Sequence, residues 1–329
     1  MTFTLKNSHV NKEAGKKAVY RVPLCTNYKT PTDMYRNYDP AVTAIKKRNA
    51  AIFKETTAAI KNGYYTAPSG ARVELPDLQK TFDGEECVHT ELPRANAPVL
   101  PEGTKVIVEK NDCLEAARRL TEKGYNPALL NFASGGHPGG NVVGGARAQE
   151  ETICRRSTLS RSIFSFSEDY SQRFGYPHKP GANYPLSDLR HSIIYSPAVT
   201  VFREGKECSF MEKPYQCGVI TCAALNLRGH FEIKLTPDGK MSEAAKDITA
   251  DKIRAIFRMG LRHGHDSLVL GAFGCGAFRN PPEEMAALFK EVLAEEEFRD
   301  RYRLVTFAIV EDHNARGGNL DAFLRVFTA

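Results

Sequence analysis

Asn131 to Leu159 reads NFASGGHPGGNVVGGARAQEETICRRSTL, and the rest of the chain is organised around this stretch. Leu129 to Phe132 form the end of an apolar strand, which gives way to a loop containing Gly135, Gly136, Gly139 and Gly140. A second glycine pair, Gly144 and Gly145, is expected to open a helix whose first turns carry Gln149, Glu150 and Glu151. A loop this poor in side chains lets backbone N–H groups approach a ligand, and a helix N-terminus behind it adds partial positive charge. Such a site suits a diphosphate. A phosphate cradle has no use for two adjacent carboxylates, so Glu150 and Glu151 point to chemistry on a sugar attached to that diphosphate.

The same arrangement recurs downstream. SLVLGAF, from Ser267 to Phe273, reads as a buried strand running into GAFGCGAFRNPP, from Gly271 to Pro282, where Gly274 and Gly276 flank Cys275. Pro281 and Pro282 then suit the first turn of a helix reaching Glu296. Cys275 reads as a small residue chosen for fit, because no base stands near it in sequence. Between the loops, apolar strands are expected over His191–Phe202 and Cys217–Leu225, separated by a polar excursion from Arg203 to Gln216. A helix follows over Thr249–His263. Ser160 to Pro185 has no regular period and is expected to be a loop. His263 and His265 read as a surface helix end, because no third metal ligand has a sensible spacing.

Upstream, KVIVE (Lys105–Glu109), a helix over Asp112–Lys123 and the strand Pro127–Phe132 make a β-α-β unit, with a parallel pair as its default. The first loop therefore leaves the carboxyl end of a strand, where open α/β sheets bind ligands. Residues 1–38 read as an irregular arm, Pro40–Asn62 as a helix stopped by Gly63, and YYTAPSGARVEL (Tyr64–Leu75) as a hairpin. The acidic, proline-rich stretch Asp77–Gly103 is the expected boundary between an N-terminal extension (1–100) and a main domain (101–329). At the other end, Leu304–Glu311 is expected as a strand and Asn319–Phe327 as a helix.

Taken together, the two loops and the Gln-Glu-Glu triplet resemble the poly(ADP-ribose) glycohydrolases, in particular the microbial type built on a macrodomain. That family carries a triple glycine followed at a set spacing by Gln-Glu-Glu. The matching residues are Gly139, Gly140 and Asn141, then Gln149, Glu150 and Glu151, with Asn141 in place of the third glycine. Asn tolerates left-handed backbone angles better than most residues. The helix and hairpin over Arg48–Leu75 and the Tyr195-Ser196-Pro197 segment, with Val199 and the Phe202-Arg203 pair, are similar to the same family.

The resemblance implies a three-layer α/β/α macrodomain-like fold with a mixed, mainly parallel sheet and a helical N-terminal extension. It implies hydrolysis of the ribose–ribose bonds of poly(ADP-ribose), releasing ADP-ribose without a metal or other cofactor. It gives Glu151 the role of catalytic acid, Glu150 that of holding the ribose hydroxyls, and Gln149 that of fixing the pair. Ser134, Gly139, Gly140, Asn141, Val142, Gly274, Cys275, Gly276, Ala277 and Phe278 are the implied substrate contacts, with Phe278 against the distal ribose. Phe307, Ile309 and Asn314 are candidates to cover the adenosine. Two other readings stand beside it: an ADP-ribose reader with impaired catalysis, for which Asn141 speaks, and a hydrolase of a mono(ADP-ribosyl) linkage.

Composition narrows the setting. The chain has 329 residues, of which 42% are hydrophobic, enough for a sizeable core. No run is long and apolar enough for a membrane span, and eight scattered cysteines without a Cys-x-x-Cys pair read as reduced thiols of an intracellular protein, cytoplasmic or nuclear. A net charge of +6 agrees with a polyanionic ligand. The expected partners are poly(ADP-ribose), ADP-ribose and ADP-ribosylated proteins, with neither membrane nor direct DNA binding, and a monomer is expected.

Overall fold

Burial sorts the strands of this chain into their places in the sheet. The structure, a computed structural model, describes residues 39–76, 78–179, 184, 186, 190–228, 235–311 and 318–328. The arm expected over 1–38 and the candidate Asn314 lie outside the described residues. A small hairpin, β1 (Tyr64–Thr66) with β2 (Arg72–Glu74), stands beside a seven-stranded sheet. The sheet order is β3 (Glu86–Val88), β6 (Ile193–Glu204), β7 (Ser209–Cys222), β5 (Pro127–Phe132), β8 (Ser267–Leu270), β9 (Leu304–Ala308) and β4 (Lys105–Glu109). From β7 to β4 all neighbours are parallel, whereas β6 runs antiparallel to β7 and β3 antiparallel to β6.

The β4–β5 pairing expected of the β-α-β unit does not form. Both strands are parallel, but β9 and β8 lie between them. Every residue of β8 and β9 is buried, as a strand covered on both faces requires, while β4 leaves Lys105 and Ile107 exposed and takes the edge. The polar excursion expected over 203–216 is also different. Most of it is strand, pairing Arg203 with Phe210 and Glu204 with Ser209 in one long hairpin, and register shifts near Ser196 and Val201 absorb its irregularity.

Alternation along β5 builds the layers. Ala128 and Leu130 enter a core under α7 (Glu243–Arg262), α8 (Pro282–Leu293) and α9 (Asn319–Thr328), while Leu129 enters a second core on the opposite face. That second core is covered by α1 (Pro40–Asn62), α3 (Cys113–Glu122), α4 (Gln149–Arg156) and α5 (Leu159–Phe164). The architecture is the expected three-layer α/β/α. No helix among the described residues is long and apolar enough to cross a membrane.

Several boundaries depart from expectation: the strand expected over Leu304–Glu311 ends at Ala308, and the helix expected to reach Glu296 ends at Leu293. Ser160–Pro185 is not a plain loop: α5 and α6 (Glu168–Phe174) are helices, and Phe164 packs within 5 Å of the rings of Tyr170 (4.9 Å) and Phe174 (4.8 Å). Helix α7 starts at Glu243 rather than Thr249, because Ser242 accepts a hydrogen bond from the Ala245 N–H and Ala245 and Ile248 are buried. Within the acidic stretch between extension and main domain, α2 (Leu78–Asp83) precedes β3, which joins the edge of the main sheet.

Candidate active site

A cavity of about 330 Å³ opens at the carboxyl ends of β5, β8 and β9, the position ligands take in open α/β sheets. Its lining includes Ser134, Gln149, Glu150, Glu151, Gly274, Gly276, Ala277 and Phe278. The two glycine loops, remote in sequence, are thus brought together. Of the other implied contacts, Gly139, Gly140, Asn141, Val142 and Cys275 do not line it. Val142 and Cys275 turn into the two cores, and burial pushes the Cys275 thiol up, away from nucleophilic use.

Two of the loop residues outside the lining, Gly139 and Asn141, hold the carboxylates directly. Glu150 accepts from the Ser134 N–H at 2.7 Å through one oxygen, and from the Gly139 N–H at 3.1 Å and Asn131 Nδ2 at 3.4 Å through the other. Glu151 Oε1 accepts from the Asn141 N–H at 3.0 Å, while its Oε2 is buried without a hydrogen-bond partner among the described residues. The two acids therefore face different donors, as adjacent positions of a helix require. Gln149 lines the cavity, but its amide is spent on the strand end: Oε1 accepts from Phe132 N at 2.7 Å and Nε2 donates to Leu130 O at 2.8 Å. This bridge ties the first turn of α4 to β5.

Helix α4 begins at Gln149, not at the Gly144-Gly145 pair. Gly145 has φ +74° and Ala148 is extended, so the chain makes a further turn before the helix starts. Asn141 belongs to that turn. Its φ is not left-handed, so it carries no backbone strain in place of a glycine, and its exposed side chain accepts from the Gly144 N–H at 3.2 Å. His137, also in the loop, is exposed.

In the second loop, Asn280 is buried and donates to Leu225 O at 2.8 Å and Gly274 O at 3.0 Å, which fixes the backbone that faces the carboxylates. Phe278 is half-buried and joins the lining from this loop. Beyond β9, Ile309 lines the cavity with Val310 and Asn319, whereas Phe307 lies in the core against Phe289, Phe323 and Phe327. Sequence reading had no signal for Asn319, Cys113 or Ala224, which reach the cavity only through the sheet order, nor for Arg147, which reaches it from the turn just ahead of Gln149. Asp112 had a signal of another kind: it caps α3 through Leu114 N at 2.9 Å and also faces the site. His265 is not at a surface helix end. It is buried, bonded to Tyr195 Oη at 2.8 Å and to Asn126 O at 3.0 Å, at the opposite end of β5 from the cavity.

Burial drives the electrostatics of Glu150. Loss of water raises its carboxyl from the ordinary 4.5 to about 8; the adjacent Glu151 adds to the rise and the three hydrogen bonds oppose it. Burial likewise lifts Glu85, against α5, to about 7. The unfolded chain releases both protons in the ordinary carboxylate range, whereas the folded protein holds them until near 7 and 8. Between those limits rising pH favours unfolding, by up to about 1.4 kcal/mol per pH unit for each group. The free protein is therefore expected to melt at a lower temperature at pH 8 than at pH 6, and Glu150→Gln to flatten that dependence. Equal pH dependence in the two proteins, read by thermal denaturation, would count against a neutral buried Glu150.

Comparison with known proteins places this geometry. Residues 53–204 match the family model described as the catalytic domain of microbial-type PARG. The chain is similar to the poly(ADP-ribose) glycohydrolase of Thermomonospora curvata, with 32% identity, 85% of this chain and 99% of that chain covered, and a TM-score of 0.70. The same bacterium's glycohydrolase bound to the inhibitor ADP-HPD is 33% identical over 84% of this chain and 98% of that one, with a TM-score of 0.67. The glycohydrolase of Deinococcus radiodurans in complex with ADP-ribose is 30% identical over 78% of this chain and 98% of that one, with a TM-score of 0.59. No curated protein sequence matches the chain.

Proposed function

This chain belongs to the microbial-type poly(ADP-ribose) glycohydrolases, and from that premise and the geometry of its cavity we infer that it hydrolyses the ribose–ribose bonds of poly(ADP-ribose) and releases ADP-ribose. The observation that carries this reading is the pair of carboxylates in the first turn of α4, held on the glycine-loop amides at the wall of the cavity. The ligands of the two bacterial relatives support the same ligand class here.

Glycosidic bonds break through an oxocarbenium-like transition state, in which an acid protonates the leaving oxygen and a base activates water. Glu151 is the residue for both steps. Its proton passes to the 2′-oxygen as the glycosidic bond breaks, the bonding pair leaves with that oxygen, and the carboxylate formed then accepts a proton from the water that attacks the sugar. Glu150, held by three donors, orients the ribose hydroxyls, and neutral Glu150 offers them a hydrogen-bond donor at physiological pH. The glycine loops and Phe278 enclose the diphosphate and ribose. Proteins carrying the polymer are the acceptors in this reading, and its setting is inside the cell, where the chain's thiols stay reduced.

The test follows poly(ADP-ribose) on a modified protein, by gel and by released ADP-ribose. Shortening of the polymer with release of ADP-ribose is the expected result. An unchanged polymer, together with removal of single ADP-ribose units from a mono-modified acceptor, would overturn it in favour of the mono(ADP-ribosyl) linkage.

A further inference from the structure

Arg155 is a buried cation that the chemistry described so far does not use. It is 3% exposed, and no carboxylate among the described residues lies within ion-pair distance of it. One nitrogen of its guanidinium donates to Ala146 O at 2.5 Å and another to Thr152 Oγ1 at 3.0 Å, while Nε is buried without a partner among the described residues. A charge taken out of water without a counter-ion is expensive. Its neighbour Arg156, by contrast, has Asp112 at 3.0 Å and Glu115 at 2.7 Å.

The hydrogen bonds of Arg155 lead to the acid. Ala146 O accepts from Arg155, the Ala146 N–H donates to Asn141 O at 3.1 Å, and the Asn141 N–H donates to Glu151 Oε1 at 3.0 Å. The circuit leaves α4 at Arg155, crosses the turn, and returns to α4 at Glu151, one helical turn earlier. Helix α1 clamps the same turn. Asn49 Nδ2 donates to Gly145 O at 3.2 Å, and Thr56 Oγ1 donates to Arg155 O at 2.6 Å. At Gly145, left-handed at φ +74°, a Cβ would stand 1.9 Å from Lys46 O, so the clamp admits only glycine there.

We propose that Arg155 is a positioning residue of the hydrolysis, holding the Asn141–Ala146 turn against Glu151 and supplying the buried counter-charge for the carboxylate that forms when Glu151 gives up its proton. This rests on the glycohydrolase reading. A fixed cation one turn from the acid stabilises the developing anion without reorganisation, which is where preorganised charge accelerates a reaction. The groups acting on Arg155 are Glu151 and Cys154 from its own helix and Cys208 from the β6–β7 turn; α1 presents Asn49 and Thr56, and the loop presents main chain. Glu151 meets Glu150 and Arg155 on its helix, and Arg147 shares the cavity wall.

The test compares wild type, Arg155→Met and Arg155→Lys for polymer hydrolysis, for ADP-ribose binding and for thermal stability. For Arg155→Met, kcat is expected to fall about 100-fold, with KM and ADP-ribose affinity within about threefold of wild type. Arg155→Lys keeps the charge but not the planar fork, so its kcat recovers to within about tenfold of wild type, with KM and affinity again unchanged. An inactive wild type overturns the glycohydrolase reading and this proposal with it. An active wild type matched by Arg155→Met overturns the proposal alone, as does a loss that falls on KM and ADP-ribose affinity as much as on kcat, or one that Arg155→Lys does not relieve, either of which marks a merely structural residue. If Arg155→Met does not fold, the Lys variant decides: no activity, or a loss in KM and affinity as large as that in kcat, overturns the proposal.

Discussion

Glu151→Gln is expected to lower the rate of polymer hydrolysis by about 10²- to 10⁴-fold, the usual contribution of a positioned acid, while ADP-ribose still binds. Glutamine keeps the volume and an amide oxygen to accept from the Asn141 N–H at 3.0 Å, so the loop has no reason to move. What disappears is the proton for the leaving oxygen and the base for water. The buried Oε2, which makes no hydrogen bond among the described residues, is the position where the glutamine nitrogen is accommodated without a competing donor. Polymer assays and calorimetric titration with ADP-ribose separate the two effects. A variant that cuts polymer at the wild-type rate would remove Glu151 from the chemistry, and one that no longer binds ADP-ribose would make it a binding residue instead.

Gly140→Ala carries the second large effect. A Cβ at this position would lie 2.4 Å from Glu151 Oε1, 3.1 Å from its carboxyl carbon and 3.2 Å from Glu150 Oε2, and the residue is left-handed at φ +57°. Strain of about 1–2 kcal/mol follows from the backbone alone. The methyl group also displaces both carboxylates, and misplacement by about 1 Å costs about 100-fold in rate. Activity is therefore expected to fall about 100-fold in a protein that still folds. Gly136→Ala is the matched control: the residue is exposed in the same loop, and a Cβ there meets nothing within 4 Å. Equal activity of the two variants, with both melting like wild type, would show that the carboxylates tolerate movement and that the hydrogen-bonded cradle is not what sets the rate.

The pH dependence expected of stability and the role of the carboxylates share a cause. Glu150 is dehydrated because the loop closes over it, and the same closure brings the Ser134 and Gly139 amides within reach. A carboxyl held neutral at its site costs the free protein stability as the pH rises.

Much of this protein is written in short stretches of its chain. Helix α1 was legible to the residue, because Asp39 and Pro40 start it and Gly63 stops it, and such caps act over a few neighbouring residues. The two glycine loops and the Gln149-Glu150-Glu151 spacing were legible for the same reason, because the backbone conformations they need are local; the start of α4 was not, since the chain makes a further turn between Gly145 and Gln149. What the chain's neighbours cannot encode is which distant strands meet. The exposure of β4 and the complete burial of β8 and β9 put β4 at the edge, and this arises only when the sheet assembles. Helices α5 and α6, of six and seven residues, are too short to show a period; the packing of Phe53, Phe164 and Phe174 holds them. Arg155 is the clearest case. In sequence it is one of two adjacent arginines at a helix end, and only the packing of α1 against the Asn141–Ala146 turn and α4 buries it and joins it, through that turn, to the main chain that holds Glu151.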